Sequence, residues 1–139
     1  MPTHTFPGRY ESLEKIALFI RSEAEKLGLS HSELFAVETA VDEAVSNIIE
    51  HAYKGEDVGD IKCICSRSDD TLTIVLEDQG APFDPAKIPI PDLSAPLKKR
   101  KDNGLGFFMM NQWMDEVRFE FCCGLNRLIM VKHKEKSEE

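Results

Sequence analysis

Apolar residues recur at three- and four-residue steps between Tyr10 and Leu27: Leu13, Ile16, Ala17, Ile20, Ala24 and Leu27. That periodicity predicts an amphipathic helix, with Gly28 placed to cap its C-terminus. Ser30 then opens a second helix as N-cap, and Glu33, three residues on, supplies the other half of a capping box. Val37, Val41, Ala44, Val45, Ile48 and Ile49 form its apolar stripe, and it should run to about Tyr53, where Gly55 follows. The pattern then changes. Ile61 to Ser66 and Leu72 to Glu77 read as strands joined by a turn at Ser68-Asp69-Asp70. From Asp78 to Asn103 the chain carries Pro82, Pro85, Pro89, Pro91 and Pro96. A loop that long inside a compact domain is uncommon and usually functional, so residues 84–103 are expected to form a lid. After Gly104-Leu105-Gly106, Phe107 to Met114 reads as helix, with Met109, Met110, Trp113 and Met114 as core. Glu116 to Cys122 and Leu128 to His133 make a last hairpin around Gly124-Leu125-Asn126. The charged tail, Lys134 to Glu139, is expected to fray.

Helix, helix, strands, loop, helix, strands is not a strict β-α-β alternation. It predicts a two-layer α/β (α+β) sandwich with a mixed, mainly antiparallel sheet and helices on one face. A chain of 139 residues, 42% hydrophobic, suits a single domain spanning 1–139. No stretch approaches the ~20 apolar residues needed to cross a bilayer. Met-Pro-Thr-His-Thr-Phe lacks the charged start and apolar run of a signal peptide, so a cytoplasmic protein with no membrane partner is expected. The net charge of -8 disfavours nucleic acid as a partner. The one basic run, Lys98-Lys99-Arg100-Lys101, reads either as a solvated loop or as a contact for phosphates or an acidic partner. Of the cysteines, Cys63 and Cys65 should share one face of a strand and Cys122 and Cys123 should face opposite ways. Their spacing is not that of common zinc sites, which favours reduced, partly buried thiols over a metal centre.

Three short segments carry candidate chemistry. Glu43, Asn47 and His51 follow at steps of four and form one row on the second helix. The amide oxygen of Asn47 suits Mg²⁺, a hard cation, and Glu43 could polarise a hydroxyl or water attacking a phosphate. His51 fits a structural hydrogen bond at the helix end better than catalysis. Asp78 directly follows a strand in Glu77-Asp78-Gln79-Gly80; there it either accepts from an exocyclic amine such as adenine's or simply forms a turn. Gly80 permits close approach of the backbone. Asn103-Gly104-Leu105-Gly106 precedes a helix whose free N–H groups would suit an anion. Each segment alone is weak.

In combination and in this order they resemble a known family. Glu43-Ala44-Val45-Ser46-Asn47 with His51-Ala52-Tyr53 is similar to the N-box of the histidine-kinase and gyrase type of ATPase. Asp78-Gln79-Gly80 resembles its first glycine box and Gly104-Leu105-Gly106 its second. The wording Asp42 to Asn47, the short chain, and Phe107 to Val117 with Met114-Asp115-Glu116-Val117 most resemble the bacterial anti-sigma-factor serine/threonine kinases. The resemblance, over roughly Arg9 to Val131, implies the Bergerat ATP-binding fold with ATP and Mg²⁺. It implies Glu43 as catalytic base, Asn47 as Mg²⁺ ligand, and Asp78 with Gly80 at the adenine. Gly104, Leu105 and Gly106 would lie at the phosphates. It further implies phosphorylation of an anti-anti-sigma antagonist protein, sequestration of a sigma factor, and a homodimer. Pro82 stands where the family often has a second glycine, and it removes an N–H donor. That departure keeps a second reading open, a nucleotide-regulated binding module without significant kinase activity. A sensor-kinase catalytic domain fits less well, because no phosphoacceptor helix pair precedes the segment.

Overall fold

The computed structural model describes residues 1–83 and 110–135. The strands are β1 (Thr3–Pro7), β2 (Asp60–Ser68), β3 (Thr71–Asp78), β4 (Glu116–Cys122) and β5 (Leu125–His133); the helices are α1 (Ser12–Leu27) and α2 (His31–Asn47). The strands form one sheet in the order β1-β2-β3-β5-β4, and every neighbouring pair is antiparallel. This is the expected two-layer sandwich with α1 and α2 on one face. Among the described residues no helix is long and apolar enough to cross a membrane. The predicted lid, 84–103, and Gly104, Leu105 and Gly106 lie outside the described residues, as does the tail beyond Glu135.

The helix ends follow the sequence signals. Gly28 closes α1 at φ 86°, a left-handed conformation that side chains other than glycine's rarely adopt. At the start of α2 the Ser30 hydroxyl accepts from Glu33 N–H at 3.2 Å, and a Glu33 carboxylate oxygen accepts from Ser30 N–H at 2.8 Å. The other Glu33 oxygen accepts from Glu135 N–H at 2.8 Å, and Lys134 N–H reaches Asp70 O at 2.7 Å. The first two residues of the tail are thus pinned rather than frayed.

Period-two alternation sends Ile61, Cys63 and Cys65 of β2, Leu72, Ile74 and Leu76 of β3, and Leu128 and Met130 of β5 inward. They meet Ile16, Ile20 and Ala24 of α1 and the Val37-to-Val45 stripe of α2 in one core, with Met110 and Met114. The opposite face carries a small apolar group, Val75, Ile129 and Val131 with Ile64 against them. Beside it runs a chain of ion pairs, Lys62–Glu77–Arg127–Glu120–Arg118–Glu116.

The structure departs from the sequence expectation in four places. β1 was not anticipated: only Phe6 of Thr3–Pro7 is buried, and the segment is held as an edge strand by pairing with β2. Pro7 is tolerated because it ends that edge strand. The second helix does not stay α-helical to Tyr53; Ile48–Ala52 is a π-helical turn in which Tyr53 N–H donates to Ile48 O at 2.9 Å. β5 begins at Leu125, so Asn126 belongs to a strand rather than to the turn, which is Cys123-Gly124 with φ 60° and 81°. That left-handed bend at Cys123 interrupts the extended alternation expected of Cys122 and Cys123.

Candidate nucleotide site

Asn47 is the last residue of α2 and is 2% exposed, yet among the described residues neither its amide oxygen nor its amide nitrogen has a hydrogen-bond partner. Burying an amide without partners costs on the order of 1–3 kcal/mol per group, so this side chain is built to meet something else. It lines a small pocket with Ala44, Ile48, Asp78, Phe83, Phe119 and Leu128. The pocket therefore joins the two polar residues that the sequence placed far apart, Asn47 from the helix layer and Asp78 from the sheet. Glu43 lies one turn before Asn47 on α2, partly buried and outside this lining.

Asp78 ends β3 and is 3% exposed. Its Oδ1 accepts from Gly80 N–H at 2.9 Å and from Asn126 Nδ2 at 2.8 Å. Burial pushes its pKa above the usual carboxylate value, and the bonds from Asn126 and Gly80 work against that rise. Gly80 contributes in a way the sequence did not predict. A Cβ there would fall 2.6 Å from the carbonyl carbon and oxygen of Ala52, and the next amide, Ala81 N–H, donates to that oxygen at 2.8 Å. The close approach Gly80 permits is to the end of the π turn.

Asn126 is the polar residue the sequence reading missed. It pairs across the ladder with Asp78, is 1% exposed, and its Nδ2 also reaches Gly80 O at 3.2 Å and Ala81 O at 3.3 Å. Those acceptors fix which end of the amide is nitrogen, and leave Oδ1 buried without a partner among the described residues. One signal was legible: Asn126 stands in phase with Leu128 and Met130, a polar residue at an inward position. Phe83 and Phe119 were missed as well. Their rings lie 5.9 Å apart, His51 stands 5.6 Å from Phe83, and both phenylalanines are apolar walls of the pocket.

Mg²⁺ commonly keeps several waters and takes one or two protein oxygens plus substrate phosphates. An unpartnered, buried Asn47 oxygen fits that habit. Among the described residues no group of three or more His, Cys, Asp or Glu side chains gathers as an all-protein metal site. The four cysteines are unpaired in disulfides, with Cys63 and Cys65 buried and Cys122 and Cys123 exposed.

Residues 6–132 match the family model described as the histidine kinase-like ATPase domain. The serine-protein kinase RsbW of Bacillus cereus (strain Q1) is 30% identical over 136 residues, covering 95% of this chain and 84% of the relative. The protein of the same name from Bacillus thuringiensis subsp. konkukian (strain 97-27) gives the same identity and coverage. Among solved structures, that of the RsbU and RsbW domains of Rv1364c from Mycobacterium tuberculosis matches with TM-score 0.64 at 15% identity, over 99% of this chain and 34% of that one. The catalytic domain of histidine kinase ThkA matches with TM-score 0.55 at 14% identity, over 96% and 98%. The sandwich, the pocket between its layers and these similarities agree: the chain belongs to the histidine kinase-like ATPase domain family, with serine-protein kinases among its relatives.

Proposed function

We propose that the protein is an ATP-dependent serine/threonine kinase of the anti-sigma-factor type, acting in the cytoplasm on a small antagonist protein and sequestering a sigma factor. The observation that carries the reading is the buried Asn47 amide, unpartnered among the described residues, on the same pocket as Asp78. Asp78 accepts from the adenine amine while Phe83, Phe119 and Leu128 enclose the base. The Asn47 oxygen is held ready for Mg²⁺, which would neutralise phosphate charge when bound. Glu43, one turn away, takes the proton from the attacking hydroxyl. Gly104, Leu105 and Gly106 complete the phosphate end.

Incubation with Mg-ATP and the candidate antagonist, with Glu43→Gln in parallel, tests this. Phosphoserine or phosphothreonine formed by the wild type and lost in the variant is expected. Equal transfer by both would remove Glu43 from the base role, and ATP binding with no product would favour a nucleotide-regulated binding module instead. We also propose a homodimer formed through the outer sheet face. The exposed charges of both signs there, Glu116, Arg118, Glu120 and Arg127, suit a self-complementary two-fold contact over the nearly buried Val75, Ile129 and Val131. Sedimentation at the monomer mass of 15.7 kDa across micromolar concentrations would rule it out.

A further inference from the structure

Tyr53 does not line the pocket, but it stands where three pieces of the site meet. Its ring, 8% exposed, lies in a seat left open by glycines. A Cβ on Gly59 would fall 2.6 Å from ring atom Cε1 and 2.8 Å from the hydroxyl, and one on Gly8 would lie 3.3 Å from Cδ2. The Tyr53 hydroxyl donates to Asp60 O at the start of β2 and accepts from Gln79 N–H at 3.1 Å. Both capacities of the hydroxyl are used, and burial raises its pKa, which keeps on it the proton donated to Asp60. Through its own N–H the same residue closes the π turn that follows Asn47.

The bond to Gln79 falls on the backbone between Asp78 and Gly80, the residues that turn away from β3. Asn126 pins that turn from the sheet side, and Ala52 O holds Ala81. Tyr53 holds it from the helix side. We propose that Tyr53 is a positioning residue for nucleotide binding, whose hydroxyl sets the Asp78-Gln79-Gly80 backbone at a fixed place relative to Asn47. The proposal rests on the reading of this pocket as an ATP site. It assigns Tyr53 no contact with the nucleotide or with the phosphate being transferred.

Tyr53→Phe keeps the ring in its seat and removes only the hydroxyl. Gly59→Ala is a second, independent variant that crowds the ring from behind. Three measurements on the full chain decide the matter: hydrogen exchange of the Gln79 amide without nucleotide, the Kd for ATP by calorimetry, and KM and kcat for phosphoryl transfer. For Tyr53→Phe we expect faster exchange at Gln79. Kd and KM should rise roughly fivefold, the equivalent of the ~1 kcal/mol that one hydrogen bond contributes, with kcat unchanged. Gly59→Ala should move all of these in the same direction.

A lower melting temperature with Kd unchanged reduces Tyr53 to a fold contact and overturns the proposal, whether or not Gln79 exchanges faster. A fall in kcat at constant KM overturns it too, since a positioning residue for the adenine side should not act on the chemical step alone. Wild-type protein that binds no ATP overturns the nucleotide reading itself, and Gln79 exchange still reports whether the hydroxyl holds the loop.

Discussion

Asp78 and Glu33 are both nearly buried carboxylates, and their surroundings push them in opposite directions. At Asp78 burial raises the pKa and the donors Asn126 and Gly80 only oppose it, so its charged form is a cost to the fold at neutral pH. Acidification through that raised pKa relieves the cost but protonates the acceptor proposed for the adenine amine. ATP affinity should therefore weaken on acidification, starting above the ordinary aspartate range near ~3.9, and calorimetry across a pH series measures it. An affinity flat down to that range would detach Asp78 from the base. Asp78→Asn keeps one acceptor oxygen but places an NH₂ group where a second acceptor was. A loss of about 10- to 100-fold in ATP affinity is expected, matching the ~1.5–3 kcal/mol of a hydrogen bond to a charged group. Cysteine chemistry divides along the same line of burial. Burial pushes Cys63 and Cys65 up to about 12, so at neutral pH they stay thiols inside the core. Ellman's reagent should titrate Cys122 and Cys123 in the native protein and all four thiols after unfolding; four fast thiols in the native state would contradict the buried pair.

At the scale of elements, α2 depends on its capping box more than on propensity, since Val37, Thr39, Val41 and Val45 are β-branched. Ser30→Ala should cost about 1 kcal/mol, read as a lower denaturant midpoint at constant m-value. Glu33 serves the same cap and also holds Glu135. Burial alone would raise its pKa, but the Ser30 and Glu135 amides outweigh that and leave it lowered. Its stabilisation is therefore present above the unfolded glutamate pKa, about 4.3, and lost as pH falls through the lower folded value. In acid titrations Glu33→Gln should lose part of the stability difference between pH 7 and pH 3; an unchanged difference would mean the carboxylate contributes nothing as an anion.

These elements also show where the sequence was legible. Gly28, Ser30 and Glu33 announced the helix ends because caps are local chemistry, written within a few residues. β1 was invisible because one buried residue, Phe6, makes no pattern; its strand exists only through pairing with β2, more than fifty positions away. The π turn is hidden for the same reason. Nothing in Ile48 to Ala52 forbids a regular helix, and the widening goes with long-range bonds made by Ala52 and Tyr53. Asn126 looked like a turn residue because Gly124 precedes it, and only the register opposite Asp78 reveals its use.

Across the whole molecule, one sheet separates two environments. Its inner face meets the helices and ends in the pocket, so Asp78 and Asn126 are inward residues at the same end of adjacent strands. Its outer face carries ionic pairs that are worth little singly in water and a small apolar group beside them. If two copies pair there, the exposed-charge reversal Arg118→Glu should split the dimer in sedimentation while leaving ATP affinity intact, because the pocket lies on the helix side of the sheet. A loss of both together would mean that the outer face and the pocket are not independent.

The π turn has one more consequence, for the length of the chain. Loops usually absorb gained or lost residues, but Ile48–Ala52 acts as a spacer between two fixed points, Asn47 in the pocket and Tyr53 on the Gln79 amide. Removing one residue would restore an ordinary helical turn and rotate everything before it by about 100° relative to everything after. Asn47 could then face the pocket or Tyr53 could reach Gln79, but not both. Single-residue deletions scanned through 48–52 should each weaken ATP binding at least as much as the roughly fivefold expected of Tyr53→Phe, whichever residue is removed. What looks like an irregularity at the end of a helix is a measured interval.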